Sequence, residues 1–223
     1  MGDAPEAVVA NRARALGALG RSVADHVEAA QVHGREVALV TRAHRGENVP
    51  GVDGLISTDP AVVVAIHCAD CVPILLVDAR RRVVAGVHTG WRGTAAGMAA
   101  AAVAAMLDAF GSRPGDLVAA IGPSIGPCCY EIDAPVVERL RAWPWYTEVL
   151  APGGRQETWM LDLWEANRRQ LVDAGVPAPS IATAGLCTAH HPALFFSHRR
   201  DGPTGRMAAM ITTAPGPGVA QGS

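Results

Sequence analysis

The chain has 223 residues, 49% of them apolar and 18% charged, with a formal net charge of −2; a typical soluble domain is about 25% charged. A chain of this length folded as one domain buries about 70% of its unfolded surface, which excludes a disordered polymer and a staple-dependent mini-protein. All nineteen basic residues are arginine, so pyridoxal Schiff-base chemistry, a P-loop and a kinase-type ATP lysine are excluded, and the small net charge argues against a general nucleic-acid binder.

The first element expected is a helix from Asp3, capped there, with Pro5 in its first turn and a stop at Gly20. Its opening, MGDAPEAVVANRAR, has no basic region followed by an apolar core, so no secretory signal is read and a cytoplasmic address follows. β-Branched runs bounded by Gly, Asp, Pro or Arg predict strands at 37–40, 51–56, 61–66, 72–77 and 83–87. An alanine-rich helix is expected over 94–110, opened by a Thr94 cap and closed at Gly111. Its apolar stretch 98–107 is ten residues long, about half a bilayer crossing, so no membrane span is expected. A strand at 117–121 is followed by helices at 133–141 and 162–174, both with Asp caps, the second with Glu165 at the capping-box position. Residues 151–156 read as a Pro/Gly loop, 206–212 as the last strand, and 216–223 as a disordered tail after a single domain over 1–215. Strands and helices without a regular βαβ alternation predict an α+β domain of layered mixed sheets with flanking helices.

Chemistry concentrates between His67 and Gly93. A tight hairpin turning at Ala79-Arg80 places Cys71 opposite His88, and a thiol beside an imidazole is either an activated nucleophile or a pair of metal ligands. Five cysteines, an odd number, point to free thiols in a reducing compartment. Cys68 and Cys71 form a C-x-x-C with no second copy to complete a zinc ribbon, and Cys128-Cys129 lie in a Gly/Pro loop. Beyond His88, the run from Thr89 to Thr94 leads into a helix, so the amides around Gly90 with the Arg92 fork make a phosphate pocket and Trp91 offers a face for a base. His26, His44, His67 and the pair His190-His191 read as residues away from the site.

QVHG at 31–34, DGLIST at 53–58, ADCVP at 69–73, VHTGWRGT at 87–94, IGPSIGPCCYE at 121–131 and FFSHRRDGPTGR at 195–206 occur in one order. Together they resemble the YfiH family, also described as polyphenol-oxidase-like, laccase-domain or peptidoglycan-editing-factor proteins. The resemblance implies a fold similar to a bacterial toxin deamidase domain and a zinc site formed by His33, Cys71 and His88. Two imidazoles and a thiolate leave a fourth tetrahedral position open, as in catalytic zinc sites. One zinc per chain is expected, no other strong ligand set being read.

Three activities are attached to the family: copper-dependent polyphenol oxidation, purine nucleoside phosphorolysis with adenosine deamination, and editing of cell-wall precursors. Eight histidines without one H-x-H pair cannot build a multicopper cluster, although a single copper suits the same three ligands. The expected function is therefore a zinc-dependent purine nucleoside phosphorylase and adenosine deaminase, acting on adenosine, inosine and methylthioadenosine with phosphate, with Asp70 shuttling a proton. The alternatives are a metal-free hydrolase of amides using Cys71 and His88, including one that edits cell-wall precursors, and a non-enzymatic binding module. Family members begin with a further strand and an arginine- and glycine-rich turn not read here, and carry tyrosine where this chain has His198.

Overall fold

The computed structural model describes residues 4–213; the expected Asp3 cap and the tail at 216–223 lie outside them. The long apolar strands assemble into a six-stranded sheet. Its centre is the hairpin of β6 (Val72–Asp78) and β7 (Val83–Thr89), flanked by β8 (Leu117–Ile121) and β12 (Ile181–Thr183) on one side and β4 (Gly54–Ser57) and β2 (Val37–Leu39) on the other. Every residue of β7 is buried, as required of a strand covered on both faces. Val83, Ala85 and Val87 face the helical layer, because side chains two residues apart share a face. The alternate positions Val84, Gly86 and His88 face a second sheet, ordered β13 (Met207–Ile211), β5 (Val63–Cys68), β1 (His26–Ala30) and β3 (Asn48–Pro50). The two sheets approach at Gly86, where a Cβ would lie 2.9 Å from Val64 Cγ1 and 3.1 Å from Ile66 Cγ1. Parallel and antiparallel pairs are mixed in both sheets, giving the layered α+β architecture expected. A three-stranded sheet of β9 (Glu131–Asp133), β11 (Thr158–Leu161) and β10 (Leu150–Pro152) completes the fold.

Several expectations are corrected. The helix expected over 94–110 starts earlier and is broken, as α2 (Trp91–Ala96) and α3 (Met98–Phe110). Gly97 separates them at φ +83, a left-handed conformation that glycine reaches without steric cost. Thr94 is therefore not a cap but lies inside α2. There its hydroxyl meets Thr89 Oγ1 at 2.8 Å and accepts from Asn167 Nδ2 at 3.0 Å, while Gln170 Nε2 donates to its carbonyl at 2.6 Å. Asn167 and Gln170 belong to α5 (Leu163–Asp173), so this buried network fastens α2 to α5.

At the start of α5, Asp162 accepts from the Glu165 amide at 2.9 Å as expected, whereas the Glu165 side chain turns to Arg168 and Arg169 instead of closing a capping box. The loop expected at 151–156 is partly strand, because β10 finds a partner in β11. β1 was not read as a strand, since His26 and Glu28 interrupt its apolar pattern. It is nonetheless buried in mid-sheet, and its carboxylate at Glu28 is met by Arg12, His26 and His67 at 2.8, 3.1 and 3.1 Å. His26 is accordingly a core residue and not a surface one.

Candidate metal centre and reaction cavity

The seam between the two sheets carries the site. His33 follows β1, Cys71 lies between β5 of one sheet and β6 of the other, and His88 is near the end of β7. Their ligand atoms all lie within 4.8 Å of one another, and the two imidazoles meet edge to face at 4.9 Å between ring centres. The hairpin register differs from the expected one by two residues. Its turn spans all four residues between Asp78 and Val83, and Pro73, not Cys71, pairs with His88. An even slip keeps every side chain on its original face, so Cys71 still projects toward His88. Continuing the register puts Cys71 opposite Gly90, where a Cβ would sit 2.7 Å from the sulfur. Gly90 thus serves the site by making room for the thiol.

Asp53, the first residue of the DGLIST motif, organises these groups. It is fully buried and accepts from the amides of Val32, His33 and Gly34 at 3.1, 2.9 and 2.7 Å and from His88 Nδ1 at 2.8 Å. The three amides hold the His33 turn, where His33 itself has φ +63. The fourth bond directs the Nδ1 proton of His88 at the carboxylate and leaves Nε2 for a metal, the usual carboxylate–histidine support of a ligand. Burial opposes the charge on each group, but the hydrogen bonds win: His88 holds the Asp53 carboxyl below its ordinary pKa, and Asp53 and Cys71 raise His88 to about 9. His33 and His88 lower the Cys71 thiol to about 6, also against burial. A thiolate flanked by two imidazoles is a soft donor set suited to zinc or copper. Cys68 does not join it. It is buried at the end of β5, and burial pushes its thiol well up.

The centre opens into a cavity of about 770 Å³, inside the range of about 300–1,000 Å³ for ligand sites. Trp91 and Arg92 line it, stacked on one another with the guanidinium carbon 4.5 Å from the ring centre. The anion pocket is less helical than expected, since the break at Gly97 leaves only the six residues of α2 behind it. Arginines missed by sequence reasoning, Arg199 and Arg206, also reach the cavity. Arg199 lies over the Tyr130 ring at 4.9 Å. Both arginines come from the FFSHRRDGPTGR segment, beside His198. His67 and His198 line the cavity too, which corrects the remote position expected for His67.

Asp70 lines the cavity and is held by two hydrogen bonds. Strained to φ +86, it accepts from Thr188 Oγ1 and from the Arg199 amide, both at 2.6 Å, one on each carboxylate oxygen. Its carboxylate thereby anchors the segment that carries Arg199. The expectation of a single ligand set is corrected as well, because the sulfurs of Cys128, Cys129 and Cys187 also lie within 4.8 Å of one another.

Fold and site together define a layered α+β protein with an open His-Cys-His ligand set beside an arginine-lined, ligand-sized cavity. The chain belongs to the family described as multi-copper polyphenol oxidoreductase laccase, which it matches over residues 1–214, and within which the YfiH and YlmD proteins are its relatives. It is 43% identical to the protein named purine nucleoside phosphorylase YlmD of Geobacillus stearothermophilus, across 95% of this chain and 80% of that one. With the YlmD of Bacillus subtilis, also named a purine nucleoside phosphorylase, identity is 36% across 92% and 76%. The crystal structure of Bacillus licheniformis YfiH superposes with a TM-score of 0.90 at 37% identity, covering 94% of this chain and 82% of that one.

Proposed function

We propose that the protein is a zinc-dependent purine nucleoside phosphorylase that also deaminates adenosine, with adenosine, inosine and methylthioadenosine as substrates. The observation carrying this reading is the opening of the His33, Cys71 and His88 set into a cavity lined by Arg92, Arg199 and Arg206. Such a cavity suits a compact anion next to a neutral aromatic base; the names of the relatives support the choice of purine nucleosides. His33, Cys71 and His88 would hold the zinc, which would supply Lewis-acid activation of a water.

The chain's own residues do the rest. Arg92 presents a planar fork to phosphate, whose oxygen bonds to ribose C1′ as the bond from C1′ to the base nitrogen breaks and the base leaves with a proton. Trp91 and Tyr130 offer aromatic surface to the base. In deamination, a water oxygen adds at purine C6 and ammonia departs. Asp53 keeps His88 oriented, and Asp70 acts as a positioning residue for Arg199.

Incubation with adenosine and inosine, with and without phosphate, tests the proposal by ribose 1-phosphate and ammonia release. Cys71→Ser and His88→Ala each lose both activities together with the zinc of this site. Arg92→Ala keeps the zinc and raises the KM for phosphate about 10–100-fold, the scale of one lost charged hydrogen bond. Full zinc occupancy at this site in an inactive Cys71→Ser protein overturns the assignment.

A second reading is favoured by the lowered Cys71 thiol beside His88: a metal-free hydrolase of amides, cell-wall precursors among them, with Cys71 as nucleophile. It requires turnover that resists chelators and is stopped by alkylation. Stoichiometric copper without zinc would instead favour polyphenol oxidation.

A further inference from the structure

Two loops that the reaction scheme does not use bring three sulfurs together, with an imidazole beside one of them. Cys128 and Cys129 end the loop that follows β8, while Cys187 and His190 lie in the loop after β12. The backbone already joins these loops: the Ser124 amide donates to the Leu186 carbonyl at 3.2 Å, the Thr188 amide to the Ser124 carbonyl at 3.0 Å, and the Gly126 amide to Cys187 Sγ at 3.3 Å. Trp164 Nε1 donates to Ser124 Oγ at 2.7 Å and fixes the first loop to α5. On this frame the three sulfurs converge within 4.8 Å, with no disulfide among them. Cys128 Sγ is 3.6 Å from Cys129 Sγ and 3.5 Å from His190 Nδ1.

The two distances from Cys128 Sγ are those of a metal tetrahedron. Zinc–sulfur and zinc–nitrogen bonds of about 2.3 and 2.0–2.1 Å at tetrahedral angles separate two sulfurs by about 3.8 Å and a sulfur from a nitrogen by about 3.6 Å. Three thiolates and one imidazole give the Cys₃His composition of a closed structural zinc site. Three thiolates around a divalent ion leave one net negative charge.

We propose that Cys128, Cys129, Cys187 and His190 form a second, structural zinc site that staples the loop after β8 to the loop after β12. Binding releases the thiol protons to solvent and transfers no electrons. The staple bears on the cavity wall from both sides: Tyr130 directly follows Cys129 and lines the cavity, and Thr188 directly follows Cys187 and holds Asp70.

The full chain, reduced under exclusion of oxygen, stripped with a chelator and reloaded with zinc, is measured for zinc per chain. Two are expected in the parent protein, one in Cys71→Ser and one in the double variant Cys128→Ser/Cys129→Ser. With cobalt in place of zinc, the thiolate-to-metal absorption should be stronger in Cys71→Ser, which retains three sulfur ligands, than in the double variant, which retains one at the other centre. If the double variant does not fold, His190→Ala on the Cys71→Ser background replaces it, and its remaining zinc should bind at least about tenfold more weakly, the least that loss of even an outer-shell partner costs. A parent protein with one zinc that Cys71→Ser removes completely overturns the second site, as does a disulfide among these cysteines in the oxygen-free protein. Zinc retained in full by Cys71→Ser and halved by the double variant would strike at the first site alone.

Discussion

Asp53 makes a heavy demand on a single buried side chain, because one carboxylate serves three amides and one imidazole. Asp53→Asn keeps the shape but loses the charge and presents an amide NH₂ donor where donors already converge. Its zinc affinity at the His33, Cys71 and His88 centre should fall about 10–100-fold, as for other carboxylates that orient a metal-bound histidine. Competition with a chromophoric chelator on the Cys128→Ser/Cys129→Ser background isolates that centre, and unchanged affinity would show that His88 is held without Asp53. The contrast with Asp70 follows from the partners. Both aspartates are buried, yet Asp53 faces a ligand imidazole while Asp70 faces a backbone amide and a hydroxyl. Only the first bonds to one of the His33, Cys71 and His88 side chains.

Among the elements, β7 carries two jobs at once, closing the helical core on one face and bearing on the second sheet with the other. Gly86 is where the second job leaves no space. Gly86→Ala should push β5 away and destabilise the fold by about 1–3 kcal/mol, the usual cost of overpacking, which lowers Tm by about 2–4 °C per kcal/mol in a chain of this size. Thermal unfolding of the zinc-loaded variant reads this out, and an unchanged Tm would mean that the sheets can separate freely. α2 follows a different rule. Only six residues long, it draws its position from Thr89, Thr94, Asn167 and Gln170, so its stability is tertiary rather than intrinsic to its sequence, as expected for a helix too short to persist alone.

For the whole molecule, the His33, Cys71 and His88 centre ties together the two sheets. His33 extends from β1 of the four-stranded sheet and His88 stands on β7 of the six-stranded one. A metal bound there binds the folded chain in preference to the unfolded one, so free zinc at 100 times its Kd adds about 2.7 kcal/mol of stability. Chelation should lower Tm by several degrees and zinc should restore it, on the Cys128→Ser/Cys129→Ser background where the other ligand set is disabled. A Tm indifferent to chelation would place the ligands too loosely to link the sheets. The matches to relatives run along nearly the whole chain, which fits a site assembled from every region between residues 31 and 206. No helix among the described residues is long and apolar enough to cross a membrane.

Legible in the amino-acid sequence were the apolar strands β2, β4, β6, β7 and β8 of the central sheet, the Asp162-capped helix, the approach of Cys71 to His88, the family, and, through that resemblance, the convergence of His33 with them. Strand alternation and capping are local, and an even register error leaves a side chain on its proper face, so the Cys71–His88 encounter survived an incorrect turn. Tertiary structure alone decided which polar residues are buried and with whom. β1 was illegible because Glu28 and His26 become acceptable inside a sheet only when Arg12 and His67, far away along the chain, arrive to meet them. The role of Asp53, the anchoring of Arg199 by Asp70, and the meeting of Cys128 with Cys187 have the same cause. Each depends on hydrogen bonds or contacts between segments separated by about twenty to well over a hundred residues, and such partners carry no periodic signal in the sequence. A broken helix at Gly97 was equally hidden, since glycine within an alanine run reads as tolerated until the left-handed turn beside Trp143 requires it.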